Sequence, residues 1–185
     1  MEISNFLDDF NAMRDHCDSV AFDGMVNPVD GVFYHGVSLD IPESVRLEVI
    51  KNLEALEDSE VKVNAMFLRL SLEGVIAPHQ AHTDSTMGIK SLMLYLNRPE
   101  DCYGGTALVE HENGMYCNPI GDVQELIWRR DTNKPDKWKV TELCRMEPNK
   151  AFIFDANLMH RAEPVGGFGD SPINGRLVLT AFYDC

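Results

Sequence analysis

Apolar positions near the start of the chain recur with a helical period. In NFLDDFNAMRDHC, Phe6, Phe10 and Met13 fall on one face, with Ser4 or Asn5 placed to cap the first turn. A turn-rich stretch, FDGMVNPVDG, then leads into VFYHGVSL, whose pattern predicts a strand. The helical period returns in IPESVRLEVIKNLEALE, where Pro42 suits a first turn and Val45, Val49, Ile50, Leu53 and Leu56 form an apolar face. From Val61 onward the period changes again. KVNAMFLRLSL, KSLMLYLN, GGTALVEH, GDVQELIWR, WKVTELCR, NKAFIFD and RLVLTAFYD are short apolar or alternating runs divided by Gly, Pro, Asn and Asp, and each predicts a strand. WRRDTNKPDKW reads as an exposed hairpin tip between two of them.

Two helices followed by a series of short strands predict a mainly β protein whose N-terminal helices cover one outer face of a sheet. The expected core is a double-stranded β-helix of the jelly-roll or cupin-like kind. Residues 1–60 are expected to form a helical support packed on the core, and residues 61–185 the core itself, in one domain overall. The length of 185 residues suits a single well-buried domain.

Charge changes the picture of partners. A formal net charge of −14 repels phosphate backbones and anionic lipid, so neither nucleic acid nor a membrane is expected to bind, and a neutral or basic partner fits better. Five cysteines (Cys17, Cys102, Cys117, Cys144 and Cys185) are scattered without a C-x-x-C pair, and no apolar leader or membrane-length apolar run accompanies them. These features predict a soluble chain with free thiols in a reducing cytoplasm.

The candidate chemistry begins in PHQAHTDSTMG, residues 78–88. In an extended segment His82 and Asp84 project to the same side and Thr83 to the other, so the pair can reach one ion. A lone H-x-D is more often solvated surface than a site. His160, which follows the apolar run NKAFIFD, changes the weighing. H-x-D with a distant His on an all-β core is the layout of the 2-His-1-carboxylate facial triad, which holds non-haem Fe(II) and leaves coordination positions open. No thiolate lies near these residues in sequence, which argues against a structural zinc cluster. His79 lacks a helical register that would bring it onto the same ion as His82, and His111 in HENG is expected to be solvated. Arg69, in FLRLSL, points either to the substrate side of a barrel or to a surface carboxylate.

Four motifs in order carry a resemblance: HTD at His82–Asp84, MLYLN at Met93–Asn97 followed by GGT at Gly104–Thr106, His160 after NKAFIFD, and GRLVLTAFYD at Gly175–Asp184. Over roughly Val61 to Asp184 the chain resembles the 2-oxoglutarate- and Fe(II)-dependent dioxygenases, and within them the prolyl hydroxylase branch. The resemblance implies a hydroxylase that uses Fe(II), 2-oxoglutarate and O2, with ascorbate as an accessory reductant. It implies His82, Asp84 and His160 as catalytic metal ligands and Arg176, Thr180 and Tyr95 as the residues that bind 2-oxoglutarate. Lys90 is a rival anchor for the cosubstrate, because some relatives place a lysine on the strand after H-x-D. The implied substrate is a prolyl residue in a protein or peptide, with a free amino acid or other small molecule as the alternative. An inactive cupin-like binding module is a further reading. The glycine-rich insertion from Val165 to Gly175 separates His160 from Arg176 and predicts a mobile loop near the iron that covers substrate.

Overall fold

The run RLVLTAFYD is apolar almost throughout because both of its faces are covered. The computed structural model describes residues 1–28, 31–75 and 77–185; Val29 and Asp30 of the turn-rich stretch lie outside the described residues. In chain order the strands are β1 (Glu2–Ser4), β2 (Met25–Val26), β3 (Phe33–Tyr34), β4 (Val37–Ser38), β5 (Lys62–Ser71), β6 (Lys90–Tyr95), β7 (Gly105–His111), β8 (Trp138–Arg145), β9 (Lys150–Asp155), β10 (His160–Glu163) and β11 (Arg176–Asp184). The helices are α1 (Phe10–Cys17), α2 (Glu43–Glu57) and α3 (Gly121–Asp131). Among the described residues the strands pair antiparallel into a large sheet of order β1-β9-β6-β11-β5-β4, a smaller sheet of order β10-β7-β8, and the hairpin β2-β3.

Period-two alternation sorts the large sheet into two faces. Leu177, Leu179, Ala181 and Tyr183 of β11, with Leu92 and Leu94 of β6 and Leu68 of β5, share a core with Met13 and Cys17 of α1 and with Val45, Val49 and Leu53 of α2. The opposite face carries Met93 and Tyr95, Phe152 and Phe154, and Val178, which meet Cys144 and Met146 from the end of β8. That contact is where the two sheets face each other. Leu94 is fully buried in the helix-side core. Leu94→Ala is expected to destabilise the protein by about 2–5 kcal/mol, read as a lower urea midpoint, because it opens a cavity that close-packed neighbours refill only in part.

Several predicted elements take a different form. The first residues form edge strand β1 against β9, and α1 is capped further on, with Asp9 Oδ1 accepting from the Ala12 amide at 3.1 Å. Ser4 and Asn5 therefore do not cap. VFYHGVSL is split into β3 and β4 by a turn at Gly36, where φ is +67° and a Cβ would stand 2.1 Å from the Leu70 carbonyl oxygen. In α2, Val45, Val49 and Leu53 are buried as expected, while Leu56 is exposed.

GDVQELIWR is the largest correction, since it forms α3 and not a strand, and the expected hairpin tip is the end of that helix with a 3-10 turn at Pro135–Lys137. Asp122 in the first turn and Arg129 and Arg130 in the last complement the helix dipole. Ile127 and Trp128 pack onto a core of Ala81, Val109 and Trp138, and Val123 and Leu126 are left exposed.

The 165–175 insertion is laced to its surroundings. The Phe168 amide donates to the Ser71 carbonyl at 3.3 Å, Glu73 N donates to Gly169 O at 3.0 Å, and Arg14 Nη2 of α1 donates to Pro172 O at 2.8 Å. Asn174 Oδ1 accepts from the amides of Asp170 and Ser171. The segment is thus bonded to both β5 and α1. Its glycines serve close approach; at Gly167 a Cβ would lie 2.4 Å from the Ser71 carbonyl oxygen.

No helix among the described residues is long and apolar enough to cross a membrane, and all five cysteines are free.

Candidate metal centre

The H-x-D segment is extended because its backbone pairs with the start of β10. The His82 amide donates to the His160 carbonyl at 3.1 Å and His160 N returns a bond to His82 O at 2.9 Å, while Asp84 N donates to Ala156 O at 2.7 Å. This places the three side chains on one side. One ligand atom from each of His82, Asp84 and His160 falls within 4.8 Å of the others. His82 Nε2 is 3.6 Å from Asp84 Oδ1, and His160 Nε2 is 3.1 Å from Asp84 Oδ2.

Hydrogen bonding fixes which nitrogen is offered. His82 Nδ1 faces the Gln80 carbonyl at 3.0 Å and His160 Nδ1 faces the Leu158 carbonyl at 3.0 Å. A carbonyl only accepts, so each Nδ1 carries a proton and each Nε2 is turned to the shared point. His160 Nε2 is buried and, despite its contact with Asp84, lacks hydrogen-bond geometry to any partner. Burial, reinforced by His160, pushes His82 down to about 4 against the pull of Asp84, so its imidazole is neutral. Burial also opposes the charged form of His160, but Asp84 raises it overall; the Asp84 carboxyl is held low against its own burial by His160. Two imidazoles and a carboxylate are a donor set that suits Fe(II).

Ser91 Oγ of β6 donates to Asp84 Oδ2 at 3.1 Å and sets the carboxylate's direction. Ser91→Ala is expected to weaken Fe(II) affinity by about tenfold, measured by metal titration, since outer partners of metal ligands typically carry about 10- to 100-fold. Thr83 turns the other way, its hydroxyl donating to Asn118 Oδ1 at 3.1 Å.

The three side chains line a cavity of about 1020 Å³ that runs between the sheets. Arg176, at the start of β11, lines the same cavity and is buried. Its Nη2 donates to Thr106 Oγ1 at 3.1 Å and to Gly105 O at 3.3 Å, while its Nε has no partner and no carboxylate faces it among the described residues. Burial lowers its pKa, yet a guanidinium keeps its charge. The charge reaches the metal ligands, where it works against protonation of His160.

The other sequence candidates fall as follows. Thr180 lines the cavity with its hydroxyl 3.4 Å from Met93 Sδ. Tyr95 is fully buried, its hydroxyl donates to Cys144 O at 3.1 Å, and it interacts with both Thr106 and Arg176. Lys90 is outside the cavity, between Glu57 at 3.9 Å and Asp155 at 3.8 Å. His111 is buried, not solvated, with Nε2 at 3.2 Å from Asp131. His79 stacks near Trp128, 5.1 Å between centroids, on the cavity wall. Thr106 and Ser91 had no role in the sequence reading, although Thr106 lies in the quoted GGT and Ser91 shares a strand face with Met93 and Tyr95.

No protein-family model matches the chain, and no curated protein matches it. Among solved structures it is similar to AviO1 from Streptomyces viridochromogenes Tue57, with a TM-score of 0.51 and 13% identity over 97% of this chain and 86% of that one. It is also similar to the epimerase SnoN in complex with Fe3+, alpha ketoglutarate and nogalamycin RO, with a TM-score of 0.55 and 14% identity over 99% of this chain and 77% of that one. EctD from S. alaskensis with bound Fe matches at a TM-score of 0.50 and 14% identity, over 99% and 71% of the two chains. These chains share the fold.

Proposed function

We propose that the protein is an Fe(II)- and 2-oxoglutarate-dependent oxygenase, built on a double-stranded β-helix, that hydroxylates an unactivated C–H bond and releases succinate and CO2. One observation carries this reading. A single cavity holds both a convergent His82–Asp84–His160 donor set and a buried guanidinium that meets no carboxylate among the described residues. Fold neighbours crystallised with iron, one of them also with alpha ketoglutarate, support the same cofactors.

Bound iron would supply the coupling of oxidative decarboxylation to insertion of oxygen into the C–H bond. His82 and His160 would hold it through Nε2 and Asp84 through its carboxylate, with Gln80, Leu158 and Ser91 orienting the three. Arg176 would take the distal carboxylate of 2-oxoglutarate, since a planar guanidinium matches a carboxylate with two parallel bonds. Thr106 steers that guanidinium, and Tyr95 and Thr180 complete the pocket around it. Lys90, already between two carboxylates, is a poor anchor. The burial of Asp84, His160 and Arg176 keeps water from the reacting groups.

A prolyl residue in a peptide, implied by the sequence resemblance, and a small molecule are the candidate substrates. A cavity of about 1020 Å³ has room for a small molecule beside the cosubstrate. The test is formation of succinate from 2-oxoglutarate under air. It is expected to require Fe(II) and to stop when a chelator is added; turnover indifferent to metal, or none with iron supplied, would contradict the proposal.

A further inference from the structure

We infer that the molecule oxidised by this protein is a small organic acid whose carboxylate is held by Arg69. The inference rests on the oxygenase reading above and extends it to the substrate class.

Arg69 stands on β5, opposite Val178 of β11 on one side and Val37 of β4 on the other, and all three residues line the cavity. Its guanidinium carbon lies 5.6 Å over the Tyr34 ring. Among the described residues no carboxylate pairs with it and it donates no hydrogen bond; the groups acting on it are Arg176 and Tyr34. Burial, with a smaller push from Arg176, draws it down to about 10, so it is a charged group held partly out of water beside another cation.

Elsewhere the protein neutralises its buried or cavity-lining cations. Arg129 meets Glu125 at 2.7 Å and Arg161 meets Glu163 at 2.7 Å. Arg14 is paired with Asp18 at 2.9 Å, and Lys150 with Glu2 and Glu147. Carboxylates are abundant, 30 against 16 Lys and Arg, so a shortage of acid does not explain two arginines in one cavity without a carboxylate partner among the described residues. An unpaired charge held partly out of water is costly, and the cost is offset when an anion arrives with the ligand.

One diacid does not satisfy both arginines. 2-Oxoglutarate uses its distal carboxylate at Arg176 and its keto-acid end at the metal, which leaves Arg69 for a second anion. A volume of about 1020 Å³ leaves room for a second small molecule beside the cosubstrate. The same cavity offers hydrogen-bonding groups without partners among the described residues, His79 Nδ1 and Gln80 Oε1, both buried on the segment that leads into His82. A peptide would present neutral amides to Arg69, and a free acid presents the planar anion that matches it.

The experiment uses the whole protein with Fe(II) and saturating 2-oxoglutarate, and follows succinate formation. A small-molecule cell extract is split by ion exchange into anionic, neutral and cationic pools, and proline-containing peptides form a fourth addition. The anionic pool is expected to stimulate turnover and to lose its effect once its carboxyl groups are converted to methylamides. Arg69→Gln is expected to cut that stimulation by about tenfold or more, as loss of a charged hydrogen-bonded pair does, and Arg69→Lys to keep part of it. Stimulation by only the neutral pool, the cationic pool or the peptides, or by no addition, overturns the inference while basal succinate formation leaves the oxygenase reading standing. A rise in the Michaelis constant for 2-oxoglutarate as large in Arg69→Gln as in Arg176→Gln also overturns it, by making Arg69 part of the cosubstrate clamp. Absence of succinate in every arm overturns both.

Discussion

Replacing His160 with alanine is expected to lower iron-supported turnover of 2-oxoglutarate by more than about 100-fold. Groups that only orient metal ligands already carry about 10- to 100-fold, and His160 supplies a ligand atom itself. The substitution spares the frame, because the bridge that ties residue 160 to residue 82 is made by backbone atoms. It does remove a ring that stacks at 4.8 Å on Phe154 and 4.4 Å on His82, so some loss of thermal stability accompanies the loss of metal. Succinate formation and Fe(II) titration of the folded variant check the expectation together. Retention of tight iron binding and full turnover would remove His160 from the donor set.

Arg176→Gln is expected to weaken 2-oxoglutarate binding far more than iron binding. Truncating one partner of a buried charged pair costs about 2–5 kcal/mol, which is roughly 30-fold or more in dissociation constant. Arg176→Lys is expected to recover little of this. A lysine ammonium supplies a charge but not the planar fork, and Thr106 and Gly105 would lose the donor they now receive from Nη2. The comparison variant is Lys90→Ala, which removes a lysine placed between Glu57 and Asp155 outside the cavity. Titration of 2-oxoglutarate into the anaerobic iron complex distinguishes them: a weakened Lys90→Ala beside an unaffected Arg176→Gln would reverse the assignment of the anchor.

The parts of this protein that its sequence made legible are those governed by local period. β6, β9 and β11 were readable because a strand covered on both faces is a continuous apolar run, β5 because its buried residues alternate, and α2 because its apolar residues recur at helical spacing. GDVQELIWR misled because Val123 and Leu126 are apolar yet exposed, while its end charges, which favour a helix, leave no mark on an apolar pattern. β1 and β10 are short and largely polar, and they become strands only because a neighbouring sheet edge receives them. That His82 and Asp84 share a side was legible because spacing in an extended chain fixes it, whereas His160 and Arg176 stood out only through the family resemblance. Ser91 and Thr106 were not legible, since their roles depend on which strands meet across the fold, and register between distant strands is set by the whole core. The contacts of the segment from Val165 to Gly175 were hidden for a related reason: its glycines permit close approach to the end of β5, which composition alone does not reveal.

The most direct test of a shared iron and 2-oxoglutarate site is a crystal structure of the protein grown without air with Fe(II) and N-oxalylglycine, an unreactive analogue of 2-oxoglutarate. The predicted result is one iron bound by Nε2 of His82, a carboxylate oxygen of Asp84 and Nε2 of His160, with the far carboxylate of the analogue paired to Arg176. Iron held by any other set of side chains, or an analogue whose far carboxylate avoids Arg176, would contradict it.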